Sequence, residues 1–322
     1  MSTHAPVREF PTAAGGEPRD AAVIDLAGVQ YRFGSGTGLV DLDLSVRRGS
    51  ITVMVGPNGA GKTTALRVIT GALVPQAGSA RVFGLEPSGA DGEQVRRRCG
   101  VVAAKPALYD RLTGRDNLRY AAELFGLGRH ADVEEAAARF GIDRSLDLRV
   151  AGYSTGMKTR LALARAVLHA PDLLLLDEPT SGLDPESSHA VLGLVREMAA
   201  EGATVVMSTH LLLEAEGLAD QVVMMENGTT VMAGSTEDLM RRYWPRPVVR
   251  FGAEDQSGLD ALAGMEGVVG YHRNGAGADV ELDDLARVPG LIAALAGAGV
   301  RLTAVTPHER SLEELYLRVR KR

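Results

Sequence analysis

Cysteine is nearly absent from this 322-residue sequence, which contains Cys99 alone. A single cysteine excludes an internal disulfide framework and fits a reducing compartment. An unpaired cysteine behaves as a small apolar side chain in most proteins. We therefore expect Cys99 to be buried and unreactive.

Long apolar runs are also missing. The longest candidates, near residues 173–176 and 291–300, are shorter than the roughly 18–20 residues that a transmembrane helix needs. The sequence therefore predicts no membrane-spanning helix. Residues 1–20 contain no continuous apolar segment, so they do not resemble a secretory signal and are expected to form a disordered leader.

An excess of positive charge is absent as well, because the formal net charge is −6. Proteins that bind nucleic acid independently of its sequence normally have a basic domain or a dense stripe of arginine and lysine. The charge balance thus argues against a nucleic-acid partner. The apolar fraction of 45% is ordinary for a globular protein, and 322 residues suggest about two domains.

The most informative feature is a glycine-rich segment at 56–64, which follows an apolar run at 51–55 and precedes a helical pattern at 65–69. This is the strand, loop and helix context that a phosphate-binding loop requires. In such a loop, backbone N–H groups and the helix N-terminus face phosphate oxygens. We expect Lys62 to contact the β- and γ-phosphates and Thr63 to bind Mg²⁺. The residues predicted to hold the phosphates are Gly56, Pro57, Asn58, Gly59, Ala60, Gly61, Lys62, Thr63 and Thr64.

A second nucleotide signature lies far downstream. Four leucines at 173–176 predict a buried strand that delivers Asp177 and Glu178 to its carboxyl end, where α/β sheets place their ligands. We expect Asp177 to hold Mg²⁺, directly or through water, and Glu178 to polarise a water for in-line attack on a γ-phosphate. Together, the two signatures predict an ATPase that uses ATP and Mg²⁺.

The periodicity of apolar residues divides the preceding part of the chain into regions. Short strands broken by turns at 23–55 predict β-rich packing, and a helical period at 113–156 predicts a small helical subdomain. A helix at 158–169 is followed by the strand at 173–176, a helix at 187–201 and a strand at 204–208. This alternation implies a largely parallel sheet. The predicted fold class is therefore α/β, with a β-rich and a helical subdomain attached to the nucleotide-binding core.

The composition changes at 243–247, where two prolines bracket an arginine, a pattern that predicts a linker. Beyond it the segments read strand, helix (259–263), strand, strand, helix, strand and helix, which resembles a ferredoxin-like βαββαβ unit with an added helix. We expect a leader at 1–20, an ATPase domain at 21–242 with its helical subdomain at about 108–156, and a small C-terminal α+β accessory domain at 243–322.

Three further motifs carry a resemblance to a known family. The run at Tyr153–Met157 resembles the signature loop of ATP-binding-cassette (ABC) ATPases, Ser181–Asp184 resembles their D-loop, and Ser208–His210 resembles their switch histidine. Their order and spacing agree with that family from about Val23 to Leu239. The resemblance implies a P-loop ABC ATPase domain with a RecA-like core.

The resemblance also implies that two such domains meet head to tail around ATP. Ser154 and Gly156 of one subunit would then donate to the γ-phosphate held by the other, and His210 would contact the γ-phosphate and report its hydrolysis. Phe33 would stack on adenine, with Tyr31 as the alternative. Because each chain contains one cassette, a homodimer is the simpler assembly.

Two positions depart from the family pattern. Tyr153 and Thr155 replace the usual leucine and glycine of the signature loop, a version associated with drug-export and related branches. Ala104 stands where the family has a glutamine that reaches Mg²⁺ and the attacking water. Since a methyl group cannot ligate a metal, we hypothesise a working but slower or differently coupled ATPase.

The resemblance implies a role in transport, as the energising subunit of a drug- or polysaccharide-type exporter. Such a subunit would lie at the cytoplasmic face of the cell membrane and drive a separate membrane permease, whose identity decides the substrate. Candidate permease contacts, which equally suit packing within the domain, are Leu108, Tyr109, Asp110 and Leu112. Two alternatives stay open, namely a soluble ABC ATPase with a non-membrane partner and a weakly hydrolysing regulatory nucleotide switch.

Overall fold

The computed structural model describes residues 22–34, 36, 38–128, 131–275, 277–308 and 310–320, so the leader predicted at 1–20 lies outside the described residues. The chain divides into two compact units, Met1–Ser235 and Thr236–Arg322. Within the described part of the chain, every helix falls short of the length and apolar character that crossing a bilayer requires.

The first unit alternates strands and helices after a β-rich beginning. Its strands are β1 (Ala22–Arg32), β2 (Gly38–Arg47), β3 (Ile51–Val55), β4 (Ala77–Val82), β5 (Cys99–Val102), β6 (Leu173–Asp177), β7 (Thr204–Thr209), β8 (Gln221–Glu226) and β9 (Thr229–Gly234). Its helices are α1 (Lys62–Ile69), α2 (Gly92–Arg97), α3 (Gly114–Leu124), α4 (Val133–Arg139), α5 (Thr155–Val167), α6 (Pro185–Ala200) and α7 (Leu212–Glu216).

These strands form one sheet in the order β4-β1-β2-β9-β8-β3-β7-β6-β5. Strand β3 pairs in parallel with β7 and β8, and β6 pairs in parallel with β5 and β7, as the alternation of strands and helices predicts. β1 pairs antiparallel with β2 and β4, which confirms the β-rich region. Because neighbouring parallel strands end at one edge, Val55, Asp177 and Thr209 lie together at the carboxyl edge of the sheet.

Burial explains the uninterrupted apolar runs in the sequence. Every residue of β3 and β6 is buried, which is the pattern of parallel strands covered on both faces. Cys99 begins β5 and is buried too, as its small apolar character predicts. Burial raises the pKa of the Cys99 thiol to about 12, so the thiol stays protonated and unreactive at neutral pH.

The helical region contains α3 and α4, both of which pack on α5. Thr113 precedes α3 and forms a capping box with Asp116, in which the side chain of each residue accepts a hydrogen bond from the other's backbone N–H. Helix α5 begins at Thr155, earlier than the helix predicted from residue 158. The reason is a cap, since the Ser154 hydroxyl accepts a hydrogen bond from the backbone N–H of Met157.

The second unit contains an antiparallel sheet in the order β11-β12-β10-β13, which is the strand order of a ferredoxin-like unit. Its elements are α8 (Thr236–Tyr243), β10 (Val248–Ala253), β11 (Val268–Asn274), β12 (Gly277–Leu282), α9 (Val288–Gly297), β13 (Leu302–Pro307) and α10 (Leu312–Arg320). The helix predicted at 259–263 is a 3₁₀ helix, Gln256–Gly264, because glycines at 258 and 264 weaken α-helix propensity.

Candidate functional site

The phosphate loop connects β3 to α1 and needs glycine at several positions. Gly59 and Gly61 have φ angles of 83° and 104°, a left-handed conformation that other residues rarely adopt. A Cβ atom at Gly56 would lie 2.2 Å from the carbonyl oxygen of Met225 on β8. These glycines permit the tight turn that brings the N-terminus of α1 to the carboxyl edge of the sheet.

Lys62, the first residue of α1, is only 5% exposed. Its ammonium donates hydrogen bonds to the carbonyl oxygens of Gly56 at 2.7 Å and Pro57 at 3.3 Å. The same nitrogen lies 3.4 Å from Oε1 of Glu178. The loop therefore wraps around the cation, and the carboxylate predicted to orient water lies directly beside it.

A cleft of about 280 Å³ opens over the loop, and Phe33 forms part of its wall. The residues that line it are Phe33, Gly38, Asn58, Gly59, Ala60, Gly61, Lys62, Thr63, Thr64 and Glu178. Tyr31 meets the ring of Phe33 edge-on, with centroids 4.9 Å apart, and packs against the hydrophobic core of the β-rich part. Of the two aromatic candidates, Phe33 therefore has the position suited to stacking on a base in the cleft.

Asp177 ends β6 and is nearly buried, with 6% exposure. Its Oδ2 accepts a hydrogen bond from Thr63 Oγ1 at 2.8 Å, and its Oδ1 accepts one from Ser208 Oγ at 2.6 Å. A hydroxyl and a carboxylate in direct contact beside a phosphate loop form a hard oxygen donor set, which suits Mg²⁺. The Thr63 and Asp177 side chains thus fit the metal predicted from the sequence.

Glu178 has a φ angle of 47°, an uncommon conformation for a residue with a side chain. Its backbone N–H donates to both the carbonyl oxygen and the hydroxyl of Ser208, each at 3.0 Å. The turn aims the carboxylate between two cationic or donor groups, with Lys62 Nζ 3.4 Å from Oε1 and His210 Nδ1 3.4 Å from Oε2. Backbone strain of this kind is typical of functional sites.

The signature loop lies apart from this cleft. A Cβ atom at Gly156 would meet Ser187 and Leu183. Asp184 caps α6 through hydrogen bonds from the backbone N–H of Ser187 at 2.9 Å and its hydroxyl at 2.7 Å. Those bonds hold the pKa of the Asp184 carboxyl below its usual value. Neither Ser154 nor Gly156 is among the residues that line the cleft of its own chain.

The structure adds to the site two residues for which the sequence predicted no role. Ser208 links the two carboxylate residues, because its hydroxyl donates to Asp177 and accepts from the N–H of Glu178. Gly38 lines the cleft, and its Cβ would lie 1.9 Å from the carbonyl oxygen of Tyr31. Ser208 shares its strand with Thr204 and Thr209, so its polar side chain gives no local sign of these partners, and Gly38 lies in a glycine-rich turn that gives none either.

The sequence is similar to known proteins across both units. Residues 39–181 match the family model described as ABC transporter. The ABC transporter ATP-binding protein NatA of Bacillus subtilis (strain 168) is 38% identical over 203 residues, covering 62% of this chain and 82% of NatA. The daunorubicin/doxorubicin resistance ATP-binding protein DrrA of Streptomyces peucetius is 34% identical over 292 residues, covering 88% of each chain.

A Nod factor export ATP-binding protein I from Rhizobium sp. (strain N33) is 38% identical over 237 residues, covering 72% of this chain and 78% of its own. Among solved structures, an ATP-binding subunit of an ABC transporter superposes with a TM-score of 0.62 at 32% identity, covering 69% of this chain and 93% of that one. These matches confirm the predicted family and fold. The chain belongs to the ATP-binding subunits of ABC transporters, which are P-loop ATPases.

Proposed function

We propose that this ATPase energises an exporter by coupling ATP hydrolysis to movements of a separate membrane permease. The observation that carries the proposal is the carboxylate of Glu178, held 3.4 Å from both Lys62 Nζ and His210 Nδ1 beside the phosphate cleft. Relatives named for Nod factor export and for daunorubicin/doxorubicin resistance support export as the direction of transport.

Each residue of the site has a role in hydrolysis under this proposal. The loop N–H groups and Lys62 bind the phosphates, while Thr63 and Asp177 would hold Mg²⁺, which would neutralise negative charge on the phosphates. Glu178 accepts a hydrogen bond from the attacking water and aligns it with the γ-phosphorus. His210, beside Glu178, contacts the γ-phosphate and senses its loss.

The assembly that completes the site is a head-to-tail homodimer. Ser154 caps α5 and Gly156 lies in its first turn, where the helix N-terminus offers backbone N–H groups and a positive dipole end to an anion. They lie outside the cleft of their own chain, so a second copy would bring them to the γ-phosphate. Two identical chains then form two equivalent ATP sites.

A groove of about 440 Å³ suits the permease partner. Its wall includes Tyr109, which is 50% exposed, and Leu124, which is 66% exposed. The Asn117 side chain holds the Tyr109 backbone at both ends, accepting from its N–H at 2.8 Å and donating to its carbonyl at 3.2 Å. An aromatic surface presented on a fixed segment is typical of a protein-binding site, and docking there would keep the chain peripheral to the membrane.

The segment 107–110, which contains Tyr109, is bonded directly to α5, the helix that follows the signature loop. Asp110 accepts a hydrogen bond from Lys158 Nζ at 2.8 Å, and the carbonyl oxygen of Ala107 accepts one from Arg165. Both cations belong to α5, which begins at the signature loop. Movement of a docked permease would therefore reach the signature loop through these contacts.

Ala104, which follows β5 and is exposed, leads to a prediction about the rate of hydrolysis. We expect Ala104→Gln to raise basal or partner-stimulated turnover, because an amide oxygen would be added where the family orients the attacking water. The measurement is phosphate release with and without the permease. Ala103→Gln, which places the same side chain one residue earlier, is the matched control. If Ala104→Gln left turnover unchanged both with and without the permease, the hypothesis that Ala104 slows hydrolysis would be wrong.

The proposed transport role predicts a stable complex with a membrane protein. A tagged Glu178→Gln chain, recovered from gently solubilised native membranes with Mg-ATP, is expected to bring down a polytopic permease in stoichiometric amount. Introducing Tyr109→Asp should release that permease, because a charge would be buried in the aromatic groove. Val74→Asp changes a 62% exposed apolar residue elsewhere and serves as its control. Recovery of ribosomes alone, or of no partner, would contradict the exporter proposal.

A further inference from the structure

The short helix α7 follows His210 almost immediately, and one of its side chains reaches back to the end of β7. Thr209, the last residue of β7, is 1% exposed and donates a hydrogen bond from its hydroxyl to Oε2 of Glu214 at 2.7 Å. Glu214 is half-buried and belongs to α7. It is therefore joined to the residue that directly precedes His210.

The Thr209 hydroxyl makes a second contact, because its oxygen accepts a hydrogen bond from the backbone N–H of Leu211 at 3.0 Å. A hydroxyl has one proton to donate. Since that proton goes to Glu214, the lone pairs of the oxygen are left for Leu211. Glu214 thus fixes the orientation of the hydroxyl, and the hydroxyl closes the chain around His210.

His210 lies between Thr209 and Leu211, within this closed turn. Its side chain is 42% exposed, and its Nδ1 lies 3.4 Å from Glu178 Oε2. Thr209 pairs in register with Val55, the residue that precedes the phosphate loop. This strand pairing fixes the position of the turn relative to the loop. A half-exposed imidazole keeps such a position only when the backbone on both sides of it is fixed.

We infer that Glu214 is a positioning residue for hydrolysis, which acts through Thr209 to hold His210 against Glu178. The inference rests on the ATPase role proposed above. Glu214 makes no contact with the phosphate cleft, whose lining it does not join. It contributes a hydrogen-bond acceptor, and its effect falls on turnover and not on nucleotide binding.

The test compares Glu214→Ala, Glu214→Gln and Thr209→Val in the full chain. We expect Glu214→Ala and Thr209→Val each to lower kcat by roughly 10-fold, the effect of one lost buried hydrogen bond on the geometry of the site. Glu214→Gln keeps an acceptor oxygen and should stay within about threefold of the unmodified chain. ATP affinity, measured by titration with a fluorescent nucleotide, should change by less than about twofold in all three variants.

A double variant and a spectroscopic readout separate positioning from a general structural role. Combining Glu214→Ala with Thr209→Val should cost little more than either change alone, because both remove the same contact. In a histidine-labelled chain, the His210 ring resonance should move or broaden in Glu214→Ala. That resonance can be recorded without ATP hydrolysis. If the chain had no ATPase activity, the proposed function would be wrong, but the resonance would still show whether Glu214 positions His210.

Three results would overturn the inference. The first is full turnover in Glu214→Ala with an unmoved His210 resonance. The second is an equal loss in Glu214→Gln and Glu214→Ala, which would assign the effect to charge at the start of α7. The third is a fall in ATP affinity parallel to the fall in kcat, which would indicate a general disturbance of the fold.

Discussion

Glu178→Gln is expected to lower kcat for ATP hydrolysis by roughly 100- to 1,000-fold, the range associated with loss of a general base. The amide keeps the shape of the side chain but loses the negative charge that aligns water. ATP binding should persist or tighten, because the change removes a carboxylate 3.4 Å from Lys62 Nζ, where the phosphates would compete for the same cation. Phosphate release and titration with a fluorescent nucleotide measure the two effects separately.

The same variant tests the proposed homodimer. With Mg-ATP bound and hydrolysis blocked, we expect its molecular mass in solution to double, and without nucleotide we expect the mass of one chain. Glu86→Gln removes an exposed carboxylate outside the cleft and is the control for loss of charge. Retention of more than half of the turnover by Glu178→Gln would assign water alignment to another group. A single-chain mass with Mg-ATP would contradict the homodimer.

Lys62→Ala is expected to weaken ATP binding by roughly 100-fold, the effect of losing a charge-assisted contact to phosphate in a partly buried site. The ammonium is 5% exposed and donates to the carbonyl oxygens of Gly56 and Pro57, so the loop is arranged around it. Nucleotide titration gives the affinity. Hydrolysis should fall with it when ATP is below saturation.

Arg67→Ala is the matched control, because it removes an exposed cation from the same helix, α1, outside the residues that line the cleft. Lys62→Met keeps the aliphatic length of the side chain without its charge. If Lys62→Met bound ATP as tightly as the unmodified chain, the charge of Lys62 would have no role in binding. If Arg67→Ala lost as much affinity as Lys62→Ala, the effect would be one of net charge.

Local chemistry made much of the site predictable. The loop at 56–64 needs glycine for its turn, and the leucine run at 173–176 reads as a buried strand because it is apolar on both faces. Contacts between distant segments were not predictable in the same way. Ser208 bonds to Asp177, 31 residues away in sequence, and a lone serine in a strand gives no sign of such a partner.

The boundaries and types of helices were only partly predictable from the sequence. The start of α5 depends on the Ser154 cap, which a helical period read from apolar residues places too late. The 3₁₀ helix at Gln256–Gly264 departs from the predicted α-helix because glycines compete with the apolar pattern. Apolar periodicity reports which side of a segment is buried, whereas caps and glycines decide where and how the segment is wound.

The sequence by itself indicated the chemistry of this protein, because the phosphate loop and the Asp177 and Glu178 pair are local patterns of residue type and spacing, and the run at Tyr153–Met157 resembles a signature loop. The tertiary structure alone decided how these patterns act on one another. It put the carboxylate of Glu178 between Lys62 and His210, and it left Ser154 outside its own cleft. The reason is physical: strand order and register in a parallel sheet bring distant strand ends to one edge, and no local pattern encodes that order.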